Sequence, residues 1–529
     1  MRPMRVPRAI YLREKDIMKT KSTIGFSLFK LPVLAGVFLG TVASLAVFAG
    51  AEKSNEVRNG SLRSDRLHAS TVAARTSMKV TSDGAMPDYQ MESKVAPVAT
   101  GSSESRIMRP SGNTLWMVND QTSIADGVSI DANNVWTAWT LSGARLSIYP
   151  INGNGTEAWH FSSFNSGNTG VAASKGTDRL GFMESNAAPA NDFRQHGFTS
   201  NSNGTPDWSF LYPVSDSNLP ASSRKVATSR DGSTIAAVVS DSVTQNSTLY
   251  VFDAATGAIR QTVTGSGALR MDSVELTDDG SIALIAEENP NHAVLIDTAT
   301  GNTVFSVAGS GGGNIFYRIS GDGHVFVVGG FSFDVYAFNG TTYTRVIHFS
   351  QASSWFGGAC AISHDGSTAG TFAGNVNNWL SGTVYLFDVA SGTMLGSYPV
   401  SGTGMYQGTP VGAGSNDNGS VMAFASWGTQ FHDWPEVMVF DRNVQLIGQI
   451  DFPGSAFSVD VSSDGQYVVG GSKAVHANQF GSGGRVELIQ LPSTPTPTPT
   501  ATATPTPTAT AIPRSTATPR PRPTPAARP

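Results

Sequence analysis

Short apolar runs separated by glycine-containing turns recur along the middle of this chain. In one such unit, the alternating run Ser273–Thr277 precedes Asp279-Gly280, and the continuous apolar run Ile282–Ala286 follows it. Two more runs of strand length lie on either side of a turn that ends at Gly301. Alternation and short apolar runs predict strands, and Asp-Gly supplies the positive φ of a tight hairpin turn. The unit therefore predicts a four-stranded antiparallel sheet.

The same unit repeats with its inner turns 43 to 53 residues apart, and each repeat has a matching third strand. The inner turns are Asp231-Gly232, Asp279-Gly280, Asp322-Gly323, Asp365-Gly366, Asn418-Gly419 and Asp464-Gly465. Apart from the unit described above, the third strands are Leu249–Asp253, Val335–Asn339, Val384–Asp388, Val437–Asp441 and Val486–Gln490. A repeat of this length with two hairpin turns is typical of a β-propeller blade, which takes about 40–45 residues.

Two earlier units bring the number of blades to eight. One is marked by Asn154-Gly155 before Trp159 and the other by Asn203-Gly204 before Trp208. The two motifs lie 49 residues apart along the chain. If units 129–165 and 166–215 are divided differently, the alternative is seven blades. The sequence thus predicts an all-β fold with a single eight-bladed propeller over 112–491.

The last unit has only three strands, and an open ring would leave ladder edges exposed. Thr114–Val118 precedes the first inner strand and is itself a strand pattern. We expect it to pair with Val486–Gln490 as the fourth strand of the last blade, and so to close the ring.

The two ends of the chain differ from the body. Residues 1–51 combine a basic flank, an apolar run from Leu31 to Gly50 and the small-residue site Ala49-Gly50-Ala51, which together predict a signal peptide or signal anchor. Residues 52–111 show no sustained period and predict a disordered arm. Residues 492–529 are rich in Thr and Pro and predict an extended low-complexity tail. We therefore expect the protein to be exported to the cell envelope or the exterior. It would be attached to the membrane only if residues 1–51 remain uncleaved.

Charge and cysteine content exclude some functions. Residues 112–491 contain 31 acidic against 14 basic side chains, a net of −17, which argues against nucleic acid as a partner. Cys360 is the only cysteine and lies in a predicted inner strand, so we expect a buried, inert thiol. No histidine lies at a metal-ligand spacing such as H-E-x-x-H, and no metal site is predicted.

The turns at 253–257 (Asp-Ala-Ala-Thr-Gly) and 297–301 (Asp-Thr-Ala-Thr-Gly) resemble those of bacterial YVTN-type and quinoprotein-like (WD-like) propeller repeats. The resemblance implies the propeller fold and a docking tryptophan after the turn glycine, which Trp159 and Trp208 approximate. Quinone-dependent relatives tend to carry adjacent cysteines, and a single cysteine cannot supply them. No cofactor is therefore predicted.

One face of the predicted ring carries tight turns, and the other carries longer connections rich in aromatic, amide and histidine side chains. Exposed rings stack on flat ligands while amides bind polar groups, so this face suits a carbohydrate polymer or a protein. The ligand-binding residues that we predict are Trp355, Trp379, Trp427, His432 and Trp434. The alternative is that these aromatic residues fill blade interfaces and the channel mouth.

Two functions are compatible with these observations. The first is an exported, non-catalytic binding module for an extracellular protein or carbohydrate polymer. The second is a propeller enzyme, such as a lactonase, lyase or quinoprotein-like dehydrogenase, with acids, His or Arg from several blades converging on the central channel. Basic residues are scarce and no catalytic motif is evident, so the sequence favours binding.

Overall fold

The computed structural model describes residues 75–79, 90–94, 113–186, 192–214, 223–241, 246–265, 270–288, 292–309, 316–350 and 355–492. The predicted leader (1–51), most of the predicted arm (52–111) and nearly all of the tail (492–529) lie outside these residues and stay predictions. Within the arm, β1 (Arg75–Lys79) pairs antiparallel with β2 (Gln90–Lys94). In the part of the chain that is described, no helix is long and apolar enough to cross a membrane.

The body consists of antiparallel strands joined by turns and loops. In chain order they are β3 (Asn113–Asp120), β4 (Ser123–Ile130), β5 (Asn134–Pro150), β6 (Trp159–Ala173), β7 (Arg179–Asn186), β8 (Phe193–Thr199), β9 (Trp208–Leu211), β10 (Val226–Thr228), β11 (Thr234–Asp241), β12 (Asn246–Asp253), β13 (Ile259–Gly265), β14 (Arg270–Leu276), β15 (Ile282–Glu288), β16 (His292–Asp297), β17 (Thr303–Ala308), β18 (Phe316–Ile319), β19 (Val325–Gly329), β20 (Phe333–Phe338), β21 (Tyr343–Phe349), β22 (Trp355–Ile362), β23 (Thr368–Asn375), β24 (Ser381–Asp388), β25 (Thr393–Ser401), β26 (Pro410–Ser415), β27 (Val421–Ser426), β28 (Val437–Asp441), β29 (Leu446–Ile450), β30 (Ala456–Val461), β31 (Tyr467–Lys473) and β32 (Gly484–Gln490). A short 3-10 turn, Ser223–Lys225, precedes β10.

Five blades are four-stranded sheets of consecutive strands: β10–β13 (blade 3), β14–β17 (blade 4), β18–β21 (blade 5), β22–β25 (blade 6) and β26–β29 (blade 7). Their second strands are buried almost throughout, as in β11 and β27. This confirms that the continuous apolar runs are strands covered on both faces. The turns match as well, since Gly280 has φ 66.

Blades 1 and 2 merge into one sheet of order β4-β5-β6-β7-β8-β9. The Ile151 N–H donates to the Asn133 carbonyl at 2.8 Å, which brings the two ends of β5 together. The strand therefore folds back near Leu141, which has φ 88, and supplies both the second and third strands of blade 1. β6 then passes from the outer edge of blade 1 to the inner edge of blade 2, pairing first with β5 and then with β7.

The hydrophobic core is divided among the interfaces between blades. The described residues form eight buried clusters, and each joins two neighbouring blades around the ring. One example packs Trp136 and Leu146 of blade 1 against Leu180 and Phe182 of blade 2. Eight interfaces in a closed ring require eight blades, so the eight-blade prediction is confirmed and seven is excluded.

Blade 8 is closed by strands from both ends of the body, in the order β3-β32-β31-β30. Thr114 pairs with Ile489 and Val118 with Val486, as predicted. Leu115 differs from the prediction, because it is the extra residue of a β-bulge and has no pairing partner of its own. The bulge twists the outermost edge, a device that disfavours pairing with another chain.

We predict that the propeller depends on β3 for cooperative stability. A chain that starts at residue 122 lacks β3 and exposes the edge of β32, whereas a chain that starts at residue 112 retains the closing strand. The shorter chain should unfold at a markedly lower urea concentration and should associate in size-exclusion chromatography, because its bare edge is available for pairing. Equal urea midpoints for the two chains would contradict the closure argument.

Candidate functional site

The ring has two unlike faces. The first-to-second and third-to-fourth strand connections form the tight-turn face, which is built from short turns such as Asp279-Gly280. The second-to-third and blade-to-blade connections form the long-loop face. In blades 6 to 8 these connections meet and interlock, and we call residues 375–380, 402–409, 427–436 and 473–483 the loop cap.

Four of the five predicted site residues, Trp379, Trp427, His432 and Trp434, lie in this cap, with one correction. Trp379, Trp427 and Trp434 are buried, with exposed fractions of 4%, 8% and 1%. Our expectation of exposed rings is therefore wrong for these three, because loops from neighbouring blades cover them. Trp355 begins β22, but its side chain lies outside the described residues. Whether these residues contribute to ligand binding stays a prediction.

The buried indoles support the loops from within. Trp434 donates its indole N–H to Ser426 Oγ at 3.0 Å, and its ring packs directly on Gly408. The Gly408 N–H in turn donates to the Trp379 carbonyl at 2.8 Å. A side chain at position 408 would strike the Trp434 ring, whose nearest atom is 2.3 Å from where a Cβ would stand. Glycine at this position thus lets two loops approach closely.

Polar side chains of the cap bind other segments of the cap. Asp433 Oδ2 accepts hydrogen bonds from the Thr403 N–H at 2.8 Å and from Thr429 Oγ1 at 2.7 Å. Gln430 Oε1 accepts from the Met405 N–H at 2.9 Å. These bonds tie the blade 7 loop to the segment that connects blades 6 and 7.

His476 links the blade 8 loop to its neighbours. Its Nε2–H donates to the Gly428 carbonyl at 3.0 Å, and its Nδ1 accepts from the Asn478 N–H at 3.1 Å. The ring also stacks on Tyr406, with centroids 4.7 Å apart. These two bonds define a neutral tautomer. Burial lowers the pKa of His476 to about 4, and the charges of His432 and Lys473 act in the same direction.

His432 is held at the cap surface by a buried carboxyl group. Its Nδ1 lies 2.6 Å from Glu436 Oε1, and Glu436 Oε2 accepts the Phe452 N–H at 2.7 Å. Burial raises the pKa of Glu436, and the hydrogen bond from His432 offsets part of that rise. His432 has φ 54, a conformation that non-glycine residues rarely adopt. About a quarter of its side chain is exposed.

Three apolar side chains of the cap, which we did not predict, are exposed. Met405 is 42% exposed, Phe431 48% and Phe480 51%, and they lie on three adjoining loops. The Phe431 ring lies against Gly404, and Gln479, next to Phe480, donates to the Tyr406 hydroxyl at 2.8 Å. We call Met405, Phe431 and Phe480 the apolar patch. The sequence signal was an aromatic residue within a long loop, but it did not distinguish these rings from the buried indoles.

The central channel gathers charged residues from distant repeats, which sequence reasoning also missed. Arg318 donates to Glu275 at 2.6 Å, and Lys175 donates to Asp460 at 2.6 Å. Burial raises the pKa of Glu275, while Arg318 opposes the rise and Asp460 adds to it. The acids in the channel are thus largely matched by bases, and each pair joins different blades.

Arginines cross the channel near both faces. Arg230 of blade 3 binds Asp417 of the opposite blade 7 through two hydrogen bonds, of 2.8 and 2.7 Å. Burial pushes the pKa of Asp417 up, but the bonds and charge of Arg230 prevail and leave it lowered. At the other end, Arg224 donates to the Val411 carbonyl at 3.2 Å and packs over the Phe316 ring. Both contacts thus join blade 3 to blade 7 across the channel.

Backbone hydrogen bonds between consecutive inner turns surround the Arg230 crossing. They run from Gly176 N–H to Arg230 O, Asp231 N–H to Asp278 O, Asp278 N–H to Gly321 O, Gly321 N–H to His364 O, Asp365 N–H to Asp417 O and Asp417 N–H to Ser463 O. His364 also contacts Asp278 across Gly321. At the tight-turn face, backbone bonds therefore join the inner turns of blades 2 to 8 in series.

Catalytic and metal-binding arrangements are weak in the described residues. No group of three or more His, Cys, Asp or Glu side chains there is placed to hold a metal ion. Burial raises the pKa of the Cys360 thiol to about 12, as expected for an inert cysteine. Ser209, His196 and Glu184 form a hydrogen-bonded row, with Ser209 Oγ 2.7 Å from His196 Nδ1 and Glu184 Oε1 2.8 Å from Nε2. That row crosses three strands at the outer side of blade 2, away from the channel and the cap, and we assign it to packing between blades 1 and 2.

Acid should weaken the cap through His476. Its folded pKa of about 4 lies below the ordinary 6.5, so the unfolded chain binds the extra proton between these values. Stability from this group is therefore present above about pH 6.5 and is lost as the pH falls towards 4, by about 2–3 kcal/mol. His476→Phe should remove this part of the pH dependence in urea titrations. It should also cost about 1–3 kcal/mol at pH 7.5, since two buried backbone groups lose their partner.

Asp126 should act in the opposite sense. Burial raises its pKa from 3.8 to about 6, although Arg224 offsets part of the rise. The folded chain therefore keeps this proton longer, and stability falls as the pH rises from about 4 to 6. Asp126→Asn should stabilise the protein at pH 7.5 by about 1–3 kcal/mol and give no gain near pH 4. The exposed Asp451→Asn is the control, and an equal gain in both variants would contradict the assignment.

Comparison with known proteins shows the fold and no closer relationship. No protein-family model and no curated protein matches this chain. The C-terminal WD40 domain of Sif2 aligns at 13% identity with a TM-score of 0.50, covering 72% of this chain and 99% of that domain. The β-propeller domain of Cps50 (Swd1) from Myceliophteria thermophila aligns at 11% identity with a TM-score of 0.43, covering 60% and 96%. The similarity to the Sif2 domain supports the β-propeller fold.

Proposed function

We propose that this protein is an exported β-propeller that binds an extracellular protein or polymer through its long-loop face. The observation that carries the proposal is the apolar patch, in which Met405, Phe431 and Phe480 are exposed on loops that are bonded to one another. Exposed apolar groups on a pre-organised surface lose little conformational freedom on binding. Contiguous apolar patches on the surface of a soluble protein often mark interaction sites.

The position of the chain ends supports the same face. Asn113 pairs with Gln490, and the Leu491 N–H donates to the Gln466 carbonyl beside the tight turn Asp464-Gly465. The segment before the body and the tail after it therefore both leave at the tight-turn face. The long-loop face is therefore the one opposite both points of exit. Export itself rests on the basic flank, apolar run and Ala49-Gly50-Ala51 site.

The channel gives less support to an enzyme. Acids and bases from several blades do converge there, as an enzyme of the propeller type would require. They bind one another, however, and Arg224 and Arg230 cross the axis near the two faces. Binding at the cap is therefore the better supported function.

The repeat type is a further part of the proposal. We assign the repeats to the bacterial YVTN-type or quinoprotein-like class because of the Asp-x-x-Thr-Gly turns. Outer-strand tryptophans also dock on the next blade: Trp116 donates to the Ile151 carbonyl, Trp159 to Ser200 and Trp208 to Ala254, each at 2.9 Å.

Removing the exposed rings should weaken binding without unfolding the protein. The double variant Phe431→Ser, Phe480→Ser should bind envelope material from the producing cells at least about 30-fold more weakly, since anchors of this kind contribute roughly 1–3 kcal/mol each. Quantitative co-sedimentation measures the loss. Leu211→Ser is the matched control, because Leu211 is 56% exposed on the outer strand of blade 2. Equal binding by the double variant and the wild type would refute the proposed site.

Alanine at Trp434 is a less informative test. This indole is 1% exposed, and its removal would leave a cavity that costs roughly 3–5 kcal/mol. A loss of binding in this variant would then reflect unfolding of the cap and would not identify Trp434 as a binding residue.

A further inference from the structure

Several polar side chains of the loop cap form hydrogen bonds within the cap. Asp433 and Gln430 accept main-chain N–H groups of Thr403 and Met405. Asn478 Oδ1 accepts the Gln407 N–H at 3.3 Å, and Gln479 Nε2 donates to the Tyr406 hydroxyl at 2.8 Å. Carboxylates and amides are the groups that recognise sugar hydroxyls, and here they hold the loops together.

The largest side chains that remain exposed on the cap are apolar, although its exposed residues also include Asn377, Asn378, Thr403 and Ser482. Phe431 and Phe480 have no polar atom in the side chain, and Met405 offers only a weakly accepting thioether. The large indoles, which stack on sugar rings while offering an N–H group, are turned inward. A sugar placed on the patch would cover apolar rings while many of its hydroxyls lost water without replacement.

The charge of the body adds a second constraint on the partner. Residues 112–491 have a net charge of −17, and four of their 14 basic side chains, Lys175, Arg224, Arg230 and Arg318, are used inside the channel. Few basic side chains therefore remain for the outer surface, which is strongly acidic. Such a surface attracts positively charged segments at long range and repels acidic ones.

We infer that the partner is a protein segment with two or more apolar side chains flanked by lysine or arginine, and that it is not a carbohydrate. This inference rests on the proposed function and specifies the ligand of the same patch. The apolar side chains would bury Met405, Phe431 and Phe480, and the flanking cations would face the acidic surface. Aromatic and methionine side chains of this kind accommodate varied apolar partners by repacking.

Two probes on the full chain test the inference. A display library of random 12-residue peptides and an array of synthetic glycans are each screened with the wild type, with Phe431→Ser, Phe480→Ser and with the Leu211→Ser control. The peptides enriched on the wild type should combine apolar or aromatic residues with Lys or Arg. Their affinity should fall at least tenfold in the double variant and remain unchanged in the control. It should also fall when the salt concentration is raised, because the charge attraction is screened.

The outcomes separate the inference from the proposed function. Glycans that bind the wild type and are lost only in the double variant would overturn the inference and leave the binding site in place. Enriched peptides that lack apolar residues, or that carry acidic flanks, would also overturn it. If no peptide and no glycan depends on Phe431 and Phe480, both the inference and the proposed function are wrong.

Discussion

Pairing between β3 and β32 is the constraint on which the rest of the structure depends. The core of this protein is divided among eight blade interfaces, so no single blade could remain folded with both of its faces exposed. Residues 113–120 close the ring on residues 484–490, and the pairing joins positions more than 360 residues apart. Trp116 extends the closure into blade 1 by donating to the Ile151 carbonyl. The whole ring is thereby held by one antiparallel ladder, and the two ends of the body, Asn113 and Leu491, lie at one face.

The channel shows how a few basic residues stabilise an acidic protein. Arg230 and Asp417 come from opposite blades and form a two-bond ion pair, a geometry that arginine favours over lysine. Lys175 and Arg318 neutralise Asp460 and Glu275 in the same interior. Burial raises the pKa of Asp126, and Arg224 offsets only part of that rise. Placing scarce cations at the centre leaves a negative exterior, and this outward charge constrains the choice of partner.

The aromatic residues of the loop cap have two roles: the buried ones support the loops, and the exposed ones form the surface. Trp379, Trp427 and Trp434 are enclosed, and their bulk fixes the spacing of the loops. Asp433, Gln430 and His476 then fasten one loop to the next. Phe431 and Phe480 consequently lie on loops that are held in place by hydrogen bonds and packing. A binding surface of this kind gains affinity because its side chains are ordered before the partner arrives.

The sequence by itself determined the repeat, the closing strand and the turn glycines, because each is encoded by neighbouring residues, and it favoured eight blades over seven. Asp279-Gly280 specifies a hairpin turn locally, and Thr114–Val118 has a strand pattern wherever it pairs. Only the tertiary structure decided which aromatic residues of the long loops are exposed. Trp434 and Phe431 lie three positions apart in one loop, yet packing against Gly408 buries the first and leaves the second in solvent. The Arg230–Asp417 pair was equally beyond prediction, because its partners are 187 residues apart and meet only when the ring is closed.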